Sequence, residues 1–172
     1  MLSENSFGNN LTLSAEQILE NVKSIQQRNE IKNVVEALQG MNFSVEMETG
    51  TGKTYVYLRT VYELNKLYGF KKFVIVVPSV AIREGVLKNL QITHEHFQSL
   101  YDKTSINFDV YDSKKVSNLR GFSSGNAIQV LVINIDSFAK DENIINKPND
   151  KLTGKKPIEF IQSTKPIVIV DE

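Results

Sequence analysis

The segment Thr49-Gly50-Thr51-Gly52-Lys53-Thr54 contains the residue types that bind phosphate groups. Glycine has no Cβ, so Gly50 and Gly52 allow the backbone to turn tightly and approach an anion. The amide groups of this segment would then point at phosphate oxygens from the start of a helix, where the helix dipole favours negative charge. Lys53 would reach the β- and γ-phosphates of a nucleotide, and the Thr54 hydroxyl would coordinate Mg²⁺.

The sequence on either side of this loop is needed to interpret it, because Met47 occupies the first glycine position of the pattern G-x-x-x-x-G-K-[ST]. Upstream, the alternating residues Phe43, Val45 and Met47 predict a strand. Downstream, apolar residues on one helical face predict a helix that begins at Lys53; they are Tyr57, Val61, Leu64 and Tyr68. A phosphate-binding loop needs this order of strand, glycine turn and helix. The simpler alternative is a glycine turn with an exposed lysine.

The end of the chain carries two acidic residues that could bind a metal ion or activate water. An apolar run over residues 167–170 is followed by Asp171 and Glu172. Asp171 could hold Mg²⁺ through water or Thr54, and Glu172 could orient or deprotonate an attacking water. Acidic residues commonly follow strands, so this pair gains meaning only from the phosphate loop in the same sheet. A natural domain rarely stops at such a point, so we expect the chain to be a piece of a larger protein.

Three further segments predict the strands that position these groups. Residues 73–77 and 127–135 are apolar runs typical of strands buried in a parallel sheet, and residues 106–110 alternate. Ser79 follows the first run and could cap the next helix. Together with Arg83 it could contact a nucleic-acid phosphate, and ordinary capping beside a surface arginine explains these residues equally well.

The first forty residues predict helices. Ser14 and Gln17 form a candidate capping box for a helix that runs to about Arg28, and a second, short helix is predicted over residues 31–38. We therefore predict a helical lead-in over residues 1–40. Residues 41–172 then form one α/β domain with a mostly parallel sheet and helices on both faces.

Composition limits the possible classes of protein. A chain of 172 residues is long enough for about one domain, and its net charge of zero means that any DNA-binding surface is a local patch. The absence of cysteine excludes disulfides and thiolate metal sites. No segment has the character of a secretory signal or a membrane span, so we expect a soluble, cytoplasmic protein.

Three motifs in this order resemble the first motor domain of superfamily 2 helicases and translocases: Thr-Gly-Thr-Gly-Lys-Thr, Val-Pro-Ser-Val-Ala-Ile-Arg-Glu-Gly and Ile-Val-Asp-Glu. More closely, residues 45–57, 72–85 and 134–138 are similar to the restriction (Res) subunit of type III restriction-modification enzymes. The resemblance covers the chain from about residue 41. In that superfamily the first loop glycine is often replaced, so Met47 is compatible with the assignment.

The resemblance implies a RecA-like phosphate-loop domain that binds ATP and Mg²⁺. It implies that Thr49, Gly50, Thr51, Gly52, Lys53 and Thr54 bind the nucleotide. Lys53 and Glu172 would be the catalytic residues, and Thr54 and Asp171 would hold the metal. It further implies a surface that faces the backbone of double-stranded DNA, made of Ser79, Val80, Arg83, Asp136 and Ser137.

The full family protein couples ATP hydrolysis to motion along DNA and cleaves it through a distant nuclease domain, in complex with a modification methyltransferase (Mod) subunit. The second RecA-like domain and the nuclease are expected beyond Glu172. We therefore expect the 172 residues alone to bind nucleotide weakly, without appreciable turnover or DNA cleavage. The alternatives are another superfamily 2 motor that acts on DNA or RNA, a phosphate-loop kinase or switch with no nucleic-acid partner, and a degenerate fragment that serves as an interaction surface.

Overall fold

The computed structural model describes residues 8–171, which divide into two compact units. One unit is Leu11–Thr51, and the other combines residues 8–10 with residues 52–171. The division falls within the predicted phosphate loop. Residues 49–51 belong to the first unit and residues 52–54 to the second.

Helix α1 of the first unit spans Ala15–Arg28, as the sequence predicts. Its start is a capping box, in which the Ser14 hydroxyl accepts a hydrogen bond from the Gln17 amide at 3.3 Å. The Gln17 side chain in turn accepts one from the Ser14 amide at 2.9 Å. Two amide groups that the helix cannot satisfy internally are thereby paired.

The helix predicted over residues 31–38 is wrong, because the chain there forms bends. Glu30 turns the chain sharply with a left-handed φ of 56°, and the Ile31 amide donates back to the Gln26 carbonyl. The Gln26 side chain also accepts the Val35 amide at 2.8 Å. Isolated helices of this length are marginal in water, and β-branched residues disfavour them further. Local side-chain bonding therefore prevails over the apolar spacing.

The strand predicted over residues 43–47 is also wrong. Residues 42–48 have no regular secondary structure, and Val45 is 82% exposed. A strand is stabilised by hydrogen bonds and side-chain contacts with a neighbouring strand. The Leu11–Thr51 unit, all of whose residues are described, contains no other strand, so alternation alone does not produce one.

The second unit is an α/β structure. Its strands are β1 (Lys72–Val77), β2 (Ile106–Val110), β3 (Ile128–Asn134) and β4 (Ile167–Val170). Its helices are α2 (Lys53–Tyr68), α3 (Val80–Leu100), α4 (Leu119–Ser124) and α5 (Pro157–Ser163). The four strands are all parallel, in the order β2-β3-β1-β4. The predicted strands and the helix from Lys53 are thus confirmed. No helix within residues 8–171 is long and apolar enough to cross a membrane.

Strand β1 is buried on both faces and separates two apolar cores. Phe73, Ile75 and Val77 pack into the core that includes α2 and α3, whereas Val74 and Val76 pack into the one that includes α4 and α5. Helices therefore cover both faces, as predicted. Each such buried side chain contributes about 1.5–3 kcal/mol through the hydrophobic effect. Because Ile75 is fully buried, truncation to alanine would cost about 2–5 kcal/mol.

The amino end of β1 is closed by hydrogen bonds. The buried Lys72 ammonium donates to the carbonyl oxygens of Phe122 at 2.6 Å and Gly125 at 2.7 Å. Burial, with a smaller effect of Lys71, lowers the pKa of Lys72 to about 8. The Asn9 side chain accepts the amides of Lys71 and Lys72 at 2.8 and 3.0 Å. The opposite, carboxyl ends of the strands are where parallel sheets bind ligands.

Candidate functional site

Helix α2 begins without a side-chain cap. Gly52 is its N-cap residue in the left-handed conformation, with φ of 87° and no side chain to accept an amide. The first turn carries Lys53 and Thr54, both half-buried. The first amides of a helix have no intrahelical acceptor, and the dipole favours an anion there. This helix start therefore suits a phosphate group, with a lysine and a hydroxyl beside it.

The other half of the predicted loop is a tight turn in the Leu11–Thr51 unit. Gly50 has a left-handed φ of 82°. The Thr51 hydroxyl and amide both donate to the Glu48 carbonyl, at 2.6 and 3.4 Å. Thr49, Gly50 and Thr51 are exposed. Both loop glycines thus adopt the conformation that glycine tolerates best.

Strand β4 delivers Asp171 to the same unit as the start of α2. The Asp171 amide donates to the Val76 carbonyl at 2.9 Å, which continues the parallel pairing of β4 with β1. The hydroxyl of Tyr57, three residues after Thr54, donates to Asp171 Oδ2 at 3.2 Å. This bond joins residues 114 positions apart. The predicted catalytic residue Glu172 lies outside the described residues.

Tyr57 was missed as a site residue, because the sequence indicates only an apolar helical stripe. Burial raises the pKa of Tyr57 well above its usual range, the nearby Thr54 side chain acts in the opposite direction, and Asp171 raises the pKa further. The phenol therefore stays protonated at neutral pH and can donate to the carboxylate. The two predicted metal ligands, Thr54 and Asp171, thus share one neighbouring side chain.

The side chains near Tyr57 fit a Mg²⁺ ion that is shared with a bound phosphate. Those that the structure describes do not form a site that could hold a metal ion with protein ligands alone. They offer the Asp171 carboxylate and the Thr54 hydroxyl, both oxygen donors. Among residues 8–171 no group of three or more histidine, cysteine or acidic side chains could hold a metal ion. Mg²⁺ prefers oxygen ligands, keeps several waters and is usually bound by one or two carboxylates together with substrate phosphates.

The start of α3 differs from the start of α2. The Ser79 hydroxyl accepts the Ile82 amide at 3.2 Å, so the predicted cap is confirmed. The Arg83 guanidinium donates to Glu84 Oε1 at 2.9 and 3.2 Å. Val80 is 56% exposed. In this structure Ser79 and Arg83 have protein partners, as ordinary capping beside a paired surface arginine requires, and their contact with DNA stays a prediction.

A groove of about 570 Å³ brings together Arg83 and Ser137, two residues predicted to face DNA. Its lining carries charges of both signs: Arg83 and Lys115 are basic, and Glu84, Asp109 and Asp112 are acidic. Asp136 is exposed, and its carbonyl and that of Ser137 accept hydrogen bonds from the Asn143 side chain at 2.8 and 3.1 Å. Asp136 is not among the described residues that line the groove.

A sequence profile of the family described as "Type III restriction enzyme, res subunit" matches residues 15–172. The chain belongs to this family. Family membership confirms the RecA-like fold, since the all-parallel sheet with helices on both faces is that of a helicase-like ATP-binding domain.

Curated relatives agree with this assignment. The chain is 35% identical over 150 residues to the type III restriction-modification enzyme StyLTI Res subunit of Salmonella typhimurium, a match that covers 76% of this chain. It is 30% identical over 183 residues to the EcoP15I Res subunit of Escherichia coli and equally to the EcoPI Res subunit of Escherichia phage P1, with 94% of this chain covered in each case. The chain spans 15–19% of the length of these relatives.

Proposed function

We propose that this Res-family chain binds ATP with Mg²⁺ and acts as the motor part of an enzyme that moves along double-stranded DNA and cleaves it. The observation that carries the proposal is the pairing of two elements in one unit. The first is the uncapped start of α2, which carries Lys53 and Thr54. The second is Asp171, which directly follows β4 and whose carboxylate accepts a hydrogen bond from Tyr57 of α2. Phosphate-loop ATPases combine these parts.

In this proposal the residues of the loop bind and orient the nucleotide. The amides around Gly52 and the Lys53 ammonium bind the phosphates, because charge-assisted hydrogen bonds are about twice as strong as neutral ones. The Mg²⁺ ion, when bound, neutralises charge on the phosphates. Thr54 and Asp171 hold that ion, and Glu172 positions or deprotonates the attacking water. Thr49, Gly50 and Thr51 also bind the nucleotide in this proposal.

The proposal extends to nucleic acid through Ser79, Val80, Arg83, Asp136 and Ser137, which would contact the DNA backbone. The shared groove of Arg83 and Ser137 supports it. A DNA phosphate would have to displace the Glu84 carboxylate from Arg83, since the two are paired. Sequence recognition would belong to a Mod subunit, because the relatives are named as subunits of restriction-modification enzymes. We place this activity in the cytoplasm.

For the domain organisation, we propose that residues 41–172 form the first RecA-like domain and residues 1–40 a helical lead-in. Limited proteolysis with and without nucleotide tests this boundary. Cleavage that spares residues 41–172 and removes the preceding segment supports it. A stable fragment that begins near residue 52 and lacks residues 41–51 contradicts it.

Calorimetric titration of the chain with a non-hydrolysable ATP analogue tests the nucleotide site. We expect saturable binding that is tighter with Mg²⁺ than with EDTA, and competition by ADP. A chain that is folded by circular dichroism and gives no binding heat at millimolar analogue contradicts the proposed function. Binding that is indifferent to double-stranded DNA in the full-length protein favours a nucleotide switch without a nucleic-acid partner.

A further inference from the structure

The hydroxyl of Tyr57 makes a contact that neither the phosphate loop nor the acidic motif requires. It donates to Asp171 Oδ2, although Tyr57 lies one helical turn beyond Thr54 and outside the loop itself. The ring packs against the core that α2 and α3 share, so the hydroxyl is carried on a supported side chain. The Asp171 backbone is held separately, because its amide donates a hydrogen bond to the Val76 carbonyl.

Tyr55, on the same helix, has a hydroxyl that bonds elsewhere and provides a comparison for Tyr57. The Tyr55 hydroxyl bonds to His96 Nε2 at 2.8 Å, and its ring stacks on Phe97 at 5.1 Å between centroids. That bond ties α2 to α3 and involves no residue predicted to bind nucleotide or metal. Tyr55 and Tyr57 are therefore a matched pair on one helix, of which only Tyr57 bonds to Asp171.

We propose that Tyr57 is a positioning residue for the metal site, which holds the Asp171 carboxylate by one oxygen and leaves the other for Mg²⁺ or a water bound to it. This inference rests on the proposed function. A carboxylate with one oxygen bonded has fewer orientations to lose when it binds a cation.

The test compares Tyr57→Phe with Tyr55→Phe in this chain. Each variant loses one hydroxyl oxygen and keeps its ring, so thermal unfolding serves as the check that both remain folded. Affinity for a fluorescent, non-hydrolysable ATP analogue is measured in EDTA, and the Mg²⁺ concentration that produces half of the affinity gain is measured separately. Partners of metal ligands typically contribute 10–100-fold to metal affinity, so we expect Tyr57→Phe to need roughly tenfold more Mg²⁺.

The nucleotide affinity of Tyr57→Phe in EDTA should stay within about twofold of that of the parent chain. Tyr55→Phe should change neither this affinity nor the Mg²⁺ requirement, because the Tyr55 hydroxyl does not contact Asp171. In an Asp171→Asn background, Tyr57→Phe should have no further effect on Mg²⁺ dependence. An unchanged Mg²⁺ requirement in Tyr57→Phe, or an equal shift in Tyr55→Phe, overturns the inference and leaves the proposed function intact. Absence of nucleotide binding by the parent chain overturns both.

Discussion

Helices α2 and α3 pack against the same face of the sheet but begin in opposite ways. At the start of α3 the Ser79 side chain already accepts an amide, and Arg83 is paired with Glu84. At the start of α2, Gly52 has no side chain, and no side-chain bond caps the helix. A helix that caps itself is stabilised without a ligand. A helix that begins at a bare glycine leaves its amides for an anion.

The largest difference between the two helix starts should come from Lys53→Ala. A hydrogen bond to a charged group is worth about 1.5–3 kcal/mol, so nucleotide affinity should fall about 10–100-fold. Lys66→Ala removes an exposed lysine from the last turn of the same helix and is the matched control. Calorimetric titration measures both. Unchanged binding heats in Lys53→Ala, with the fold intact, would argue strongly against the site.

Alanine at Gly52 and Gly85 should change stability in opposite directions. A left-handed conformation costs a residue with a Cβ about 1–2 kcal/mol, so Gly52→Ala should destabilise the chain and weaken nucleotide binding. Gly85 lies within α3, and a Cβ there meets nothing within 4 Å, so Gly85→Ala should stabilise by about 0.5–1 kcal/mol. Urea unfolding measures both changes. Equal signs would mean that Gly52 does not have this left-handed conformation.

The cap on α3 should matter for stability alone. Ser79→Ala removes the acceptor for the Ile82 amide and should cost about 1 kcal/mol of unfolding free energy. Nucleotide affinity of this chain should not change. Ser79→Asp, which supplies another capping acceptor, should restore stability. Loss of nucleotide affinity in Ser79→Ala at a temperature where the variant is folded would remove the distinction between the two helices.

The smallest effect should be that of Arg83→Ala on the affinity for DNA. In the full-length protein Arg83→Ala should weaken DNA binding equally for all sequences and lower the salt-dependence slope by about 1, because a backbone contact carries no sequence information. Glu84→Gln removes the negative charge that pairs with Arg83 and should strengthen binding. Filter binding over a salt series measures both, with Arg59→Ala on α2 as the control. A sequence-dependent loss would indicate base contact instead.

Much of the fold follows from the sequence where burial and local bonding act together. The apolar runs of β1 and β3 are buried on both faces, and Ser14 and Gln17 cap α1 as their spacing indicates. The predictions fail where the apolar residues lie outside the two apolar cores. Residues 31–38 and 43–47 have the right spacing, but a short helix and a lone strand gain too little from local contacts to form.

The sequence predicts which residues belong to the site better than it predicts the hydrogen bonds between them. The glycine turn and Asp171 are identifiable because their residue types are tied to a chemistry. The hydrogen bond from Tyr57 to Asp171 depends on the register of β4 beside β1, which no local pattern encodes. The sequence also indicates one apolar face of α2, made of Tyr57, Val61, Leu64 and Tyr68. The structure buries Val61 and packs Tyr57 and Leu64 against the core, whereas Tyr68 is 64% exposed. The buried residues Leu58 and Tyr62 of α2 were missed.

The central claim is that the start of α2, and not that of α3, binds nucleotide phosphates. Amide chemical shifts of the ¹⁵N-labelled chain, recorded with and without a non-hydrolysable ATP analogue and Mg²⁺, test it directly. We expect the largest changes at Gly52, Lys53, Thr54 and Asp171, with the capped Ile82 amide unmoved. Largest changes at Ile82 and Arg83, or no changes at saturating analogue, would contradict it.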